Sequence, residues 1–546
     1  MGLPSLRASD PGQQVAAGAE SALAQDVVAF TRAQSRTYNR SLTSLGDAFA
    51  DIYTSILALG CAAAMAVSLV FALRGEIDGR VPGAGGLVPR SPLELPSTVL
   101  WFLMTYAALL GILTVARRLG PIAVTGAQGS WWLPLPVDRG PMVLPTFRRR
   151  TVGVGLGSAL GYLPFSLLTG LDLTGIAHAL AAGTFGAASL VVLGMAALLQ
   201  HRPTLGAPAG RRYLDRPALA QPKRDPMVHV RLILVPVALL PRLPGFGWEP
   251  GVAVLALAAL AAALILRVAL RRAGTISSAE LIRGGAVSGH AGASVFFLDA
   301  NELLRAMAGE PRPLAARRAA GLYWRPARTP WGALLRADVA AFLRLQPAAT
   351  VPLVWLAACV ALAISDAGLP APLQLAFVLV AGCAVASGMG TVARRTALLP
   401  ELDALLPLSP ARVRASRMLM PAAALALWMA ALTSVLALLG AGGPLLPVLG
   451  ALAGVGMGAG TLRGATRPAA DWTLPPVDTP MGPVPRTQLA SLMRGLDATV
   501  LSLLPTGLAL YLGQALPVLL LAQAVVSGAA VLLVLLSNPA TTPSGR

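Results

Sequence analysis

The chain holds 546 residues, of which 55% are apolar and only 12% charged. A soluble domain carries about 25% charged residues, so composition excludes a water-soluble enzyme and indicates a polytopic membrane protein. The formal net charge is +19, and Lys223 is the one lysine among 43 basic residues. These charges are scattered in short loops between apolar runs, which marks them as topology signals and excludes a nucleic-acid surface.

Residues 1–50 are polar and mixed in charge, unlike a signal peptide. Within 26–49, Val27, Phe30, Tyr38, Leu42, Leu45 and Phe49 form an apolar stripe, and Arg32, Arg36 and Arg40 share another face. This pattern predicts an interfacial helix on the cytoplasmic leaflet. A helix crossing the hydrocarbon needs about 20 apolar residues. By that rule a first group of crossings falls at 52–73, 97–116, 151–170, 174–199, 229–243 and 251–266. A second group falls at 350–365, 373–393, 418–439, 445–462, 496–512 and 517–536. The run at 229–243 is short and interrupted by Pro236 and Pro241, with Pro244 following, which predicts a broken or re-entrant segment. The domain plan is therefore an N-terminal segment 1–50, a six-span repeat 51–266, a linker 267–349, a second repeat 350–537 and a tail 538–546. The linker carries a second amphipathic stretch at 331–344, with Trp331, Leu334, Leu335, Phe342 and Leu343 apolar.

Orientation follows from the basic residues. With the N-terminus inside, 39 of the 43 fall in inside segments and 4 in outside loops. That asymmetry predicts a multi-pass protein of the plasma membrane with both termini cytoplasmic.

Three local matches recur in the same order in the two halves. Thr114-Val115-Ala116-Arg117-Arg118 matches Thr391-Val392-Ala393-Arg394-Arg395, at an offset of 277 residues. Leu133-Pro134-Leu135 matches Leu406-Pro407-Leu408 at 273, and Ala238-Leu239-Leu240-Pro241 matches Ser502-Leu503-Leu504-Pro505 at 264. Six spans per half is an even number, so the halves are expected to be parallel repeats with a pathway at their interface. The expected fold is thus an all-α polytopic membrane protein of about twelve transmembrane helices, as two parallel six-helix repeats with cytoplasmic amphipathic helices. Gly153, Gly157 and Gly161, and likewise Gly450, Gly454 and Gly458, recur every four residues and predict close helix packing.

The chemistry is sparse. Lys223 lies between Pro222 and Arg224, so no phosphate-binding Gly-Lys-Ser/Thr motif exists. Cys61, Cys359 and Cys383 sit in apolar runs without metal or disulfide spacing. No histidine pair or His-Glu motif suggests a metal, and His178 is expected to hydrogen-bond across helices. Asp366 and Asp497 lie only at span edges, which argues against an ion-coupled antiporter and an intramembrane enzyme. Neither catalytic residues nor a cofactor are expected.

The loops before the third and ninth spans are the distinctive features. The second reads Leu399-Pro400-Glu401-Leu402-Asp403-Ala404-Leu405-Leu406-Pro407-Leu408-Ser409-Pro410-Ala411-Arg412. It predicts a short acidic helix, a proline turn and a basic approach to the membrane. Such a loop, between spans two and three of a six-span unit with an N-terminal interfacial helix, resembles the ABC-2 type exporter permeases. The segment Asp478-Thr479-Pro480-Met481-Gly482-Pro483-Val484-Pro485, with Arg494-Gly495-Leu496-Asp497, is similar to an uncharacterised actinobacterial membrane family of this type. The resemblance implies that these loops dock on a separate ABC-type ATPase subunit. The implied docking residues are Gln128, Trp131, Trp132, Leu133, Pro134 and Leu135 in the first loop, and Glu401, Asp403, Leu406, Pro407 and Leu408 in the second. The first loop departs from the pattern, because Gln128 stands where the second has Glu401. Arg117, Arg118, Arg394 and Arg395 are expected to anchor span ends at lipid headgroups. The expected function is a permease subunit of an ATP-driven exporter. A membrane scaffold is the rival reading and a lipid-processing enzyme a more distant one.

Overall fold

The apolar runs fold as helices because a lone segment in lipid must satisfy its own backbone donors and acceptors. The computed structural model describes residues 11–42, 45–78, 86–88, 94–135, 137–169, 173–200, 226–296, 299–307, 327–345, 350–365, 369–467, 477–479, 482–484 and 494–537. Residues 1–10, the linker stretch 308–326 and the C-terminal tail 538–546 lie outside them. Among the described residues the chain is helical apart from turns, an isolated bridge and one hairpin. In the hairpin, Val477–Thr479 (β1) pairs antiparallel with Gly482–Val484 (β2). The chain divides into two compact units, Met1–Asp78 with Trp101–Gly289, and Gly79–Leu100 with His290–Arg546.

The first unit runs α1 (Pro11–Leu42), α2 (Leu45–Asp78), α3 (Ser97–Leu119), α4 (Gly126–Trp131), α5 (Gly140–Thr169) and α6 (Gly175–Gln200). It continues through α7 (Pro226–Leu239), a 3-10 turn (Leu240–Phe246), α8 (Trp248–Arg272) and most of α9 (Ser278–Phe296). The alanine- and glycine-rich α6 is the central helix, packed between α5 and α8. Tyr162 stacks on Phe185 at 4.2 Å and meets Trp101 edge-on at 5.7 Å. Its hydroxyl lies 2.9 Å from the Thr105 hydroxyl, which gives that polar atom of the aromatic cluster a partner. His178 on α6 lies 2.9 Å from the Ser166 hydroxyl on α5, an interhelical hydrogen bond of the kind expected.

The second unit holds α10 (Ala300–Met307), α11 (Pro330–Leu345), α12 (Thr350–Ala363), α13 (Ala371–Met389), α14 (Thr391–Thr396) and α15 (Pro400–Ala404). It ends with α16 (Pro410–Leu438), α17 (Leu446–Ala465), α18 (Leu496–Leu512) and α19 (Pro517–Leu536). Proline opens α15, α16 and α19, where its missing N–H costs nothing. Here α17 is central, against α16, α18 and α19. Gln523 on α19 is fully buried; its amide donates to the Ser502 carbonyl at 2.8 Å and accepts from the Thr506 hydroxyl at 2.9 Å. These bonds tie α19 to α18 in an apolar surrounding that offers no water.

Each expected run is helical over most of its described length, but the helices differ in length. Among the described residues eight helices are long and apolar enough to cross a membrane: α3, α5, α6, α8, α13, α16, α17 and α19. A ninth is possible if α11 and α12, bent by 69°, form one broken span. The 14 residues of α7 reach about 21 Å at 1.5 Å per residue, short of the hydrocarbon's roughly 30 Å. Pro236 lies inside α7 and the 3-10 turn follows it, so the proline-rich run does break. The 17 residues of α18 are apolar but also short.

The two glycine stripes behave differently. A Cβ on Gly454 would run into the backbone of Leu425 and Ala426, and one on Gly458 would lie 2.7 Å from the Ala422 Cβ. That stripe lets α17 approach α16. Gly153, Gly157 and Gly161 instead face open space, against the packing expected of them. The close approach of α5 and α6 runs through Gly186, whose Cβ would stand 2.9 Å from the Gly155 carbonyl oxygen.

Candidate functional site

In the first loop, α4 opens with a capping box. The Gln128 amide N–H donates to the Thr125 hydroxyl at 3.4 Å, and the Thr125 N–H donates to the Gln128 side-chain oxygen at 3.1 Å. The side chain of Gln128 is thereby held to its own helix start. Trp132 is buried with Ala24, Val28 and Met142, so the loop is clamped by α1. Leu133 enters the core of the unit. Trp131, 77% exposed, projects away, with Pro134 and Leu135 also exposed.

Two side chains hold the stretch before this loop. Gln200 donates to the Ile122 carbonyl at 2.7 Å and accepts from the Ile122 N–H at 3.2 Å. Arg150 donates to the Gly120 carbonyl at 2.7 Å and to the Ser288 hydroxyl at 2.8 Å.

In the second loop, α15 carries Glu401 and Asp403 in its only turn. Glu401 is exposed, and around it Leu398, Leu399 and Leu402 are more than half exposed and Leu405 80% exposed. Leu406 and Leu408 are partly covered and Pro407 is exposed. Asp403 accepts from Arg417 at 2.9 Å, and Arg417 also pairs with Asp338 of α11. Asp338 is 4% exposed and takes a second bond from the Ser416 hydroxyl at 2.6 Å. The Trp331 indole N–H donates to the Arg412 carbonyl at 3.3 Å. So α15 and the start of α16 are braced on α11, and the acidic, leucine-lined turn is presented on a fixed base.

Sequence reasoning did not single out Asp338 or Arg417. A signal for Asp338 existed: it shares the helical stripe of Trp331, Leu335 and Phe342, and a carboxylate on an apolar stripe needs a partner. Of the four span-end arginines, Arg117 and Arg118 are half-buried and Arg395 is exposed. Arg394 turns inward, 6% exposed, and donates to the Ser387 carbonyl at 2.8 Å. Among the described residues, no group of three His, Cys, Asp or Glu side chains could hold a metal ion.

Residues 95–475 match a family described as a family of unknown function, DUF6297. No curated protein and no solved structure matches the chain.

Proposed function

The chain belongs to the DUF6297 family of unknown function, and we propose that it is the permease subunit of an ATP-binding-cassette exporter of the ABC-2 type. A separate ATPase would supply the energy, since the one lysine of this chain stands in no phosphate-binding motif. The observation that carries this reading is the turn at α15. Glu401 and the exposed Leu398, Leu399, Leu402 and Leu405 form a small apolar patch with one acidic group, braced through Asp403 and Arg417. A contiguous exposed apolar patch with a polar rim is a surface that a partner can cover. A fixed base is what a loop needs if a partner's motion is to reach α16.

The repeat belongs to the same proposal. Each unit passes in turn through a long apolar helix, a short loop helix, a helix of 30 or 29 residues and a central small-residue helix. A short proline-containing helix and a final apolar helix follow in each, α7 and α8 in one unit, α18 and α19 in the other. Twelve crossings with both ends inside complete the reading. Reporter fusions after residues 85 and 368 are expected to report the outside, and fusions after 215 and 480 the inside. The reverse pattern would put the α15 turn on the wrong side for an ATPase.

Glu401→Arg tests the docking directly. Loss of one partner of a buried interfacial charge pair costs roughly 2–5 kcal/mol, whereas a rim charge costs little. Glu401→Arg is therefore expected to strip a P-loop ATPase from the protein purified out of native membranes. Gln128→Arg should do less, because that side chain closes its own capping box. Retention of the ATPase at wild-type levels by a well-folded Glu401→Arg protein would remove α15 as the docking site.

A further inference from the structure

In the second unit, the ends of α13 and α17 and the start of α18 surround a cavity of about 320 Å³, closed on another side by the end of α9 and by α10. That volume is at the small end of the range for ligand pockets. Arg394, Arg467 and Arg494 line it, with Asp299 the only lining carboxylate among the described residues. Most arginines of this neighbourhood have an acidic partner: Arg467 pairs with Asp299, Arg305 with Glu302, and Arg463 with Asp497 at 3.1 Å. Arg394 and Arg494 pair with no carboxylate among the described residues.

Arg394 is the telling one. It lies just beyond the α13 span, is 6% exposed, and spends one donor on the Ser387 carbonyl. The Arg305 guanidinium, which donates to the Arg394 carbonyl at 3.3 Å, adds a like charge. Burial and Arg305 push its pKa down to about 10, so it stays charged at neutral pH. A buried cation with no counter-charge among the described residues is costly, and an anion in the cavity would offset that cost. The N-terminus of α18 is not the seat, because Asp497 already accepts from the Gly495 and Ala498 N–H groups at 2.8 Å. The remaining walls are largely apolar, from Val295, Leu303, Leu304, Ala386 and Leu496. Arginines against such walls suit a phosphate carried on an apolar body. By the distribution of basic residues this end of the unit is the cytoplasmic one, and basic pockets between helices there hold anionic lipid headgroups.

We propose that this cavity binds the phosphate of an anionic lipid headgroup, with Arg394 and Arg494 as its ligands and the apolar wall against the start of the lipid's acyl chains. The site stands apart from the α15 turn and does not depend on the ATPase. The test uses the full-length protein in a neutral detergent, with retention of dioleoylphosphatidylglycerol read by native mass spectrometry and dioleoylphosphatidylcholine as control. Arg494→Gln is expected to weaken phosphatidylglycerol retention several-fold and Arg394→Gln about tenfold, as for lost charge-assisted bonds. Phosphatidylcholine retention should not change. Arg494 is exposed, so its variant decides the matter even if Arg394→Gln fails to fold. Displacement of the lipid by millimolar inorganic phosphate would keep the two arginines as phosphate ligands and overturn the lipid as their occupant. Wild-type retention by Arg494→Gln, or equal retention of both lipids, would overturn the site itself.

Discussion

Replacing Arg417 with methionine is expected to cost about 3–5 kcal/mol, the usual consequence of removing one partner from a buried ion pair. Arg417 is 11% exposed and serves two carboxylates, Asp338 and Asp403. Without it, the buried Asp338 keeps only the Ser416 hydroxyl as a donor, and two like charges lose the cation between them. The thermal midpoint of the detergent-purified protein should fall by several degrees. The pair Asp338→Asn with Arg417→Met should recover much of the loss, because it removes the stranded charge as well as its partner. A further readout separates a local role from a global one. Asp403 hangs α15 on this cluster, so, on the docking role proposed for that turn, Arg417→Met should also reduce co-purification of an ATPase at temperatures where the fold is intact. An Arg417→Met protein as stable as the wild type would mean that water, not Arg417, compensates Asp338.

This cluster marks the boundary of what could be read in the chain. Helices were legible, because an apolar run in lipid has one way to satisfy its backbone; α3, α6 and α17 fall within a few residues of the expected runs. The short acidic helix before α16 was legible for a local reason as well, since Pro400 and Pro410 mark the starts of two helices. The brace beneath it was not. Asp338 and Arg417 are 79 residues apart and meet only through tertiary packing. The cavity at Arg394 is of the same kind, drawing residues from 294 to 499 that share no local pattern. Arg394 and Arg395 look alike in sequence, yet one is buried and the other exposed, because successive residues of a helix point about 100° apart.

Glycine spacing shows the same boundary, and it supplies the second large effect. Gly454→Ala is expected to destabilise the protein by about 3 kcal/mol, at the upper end of the overpacking range. The new methyl group would meet the Leu425 carbonyl and the Ala426 backbone, which cannot swing aside as a side chain could. To make room, α17 must move away from α16, its most extensive partner, and that loosens the buried cluster to which Leu425, Met429 and Met457 belong. Gly157→Ala, at the same spacing on α5, should go the other way. Its Cβ would meet nothing within 4 Å, and a helical glycine replaced by alanine gains roughly 0.5–1 kcal/mol. Thermal midpoints of the two variants, with folded yield in detergent as a second reading, check the contrast. Equal destabilisation by both would mean that the α5 stripe is packed after all, against a neighbour outside the described residues or a second copy of the chain. Equal tolerance would mean that α16 and α17 slide past one another, and the central helix of the second unit would then be no rigid element through which the α15 turn could act.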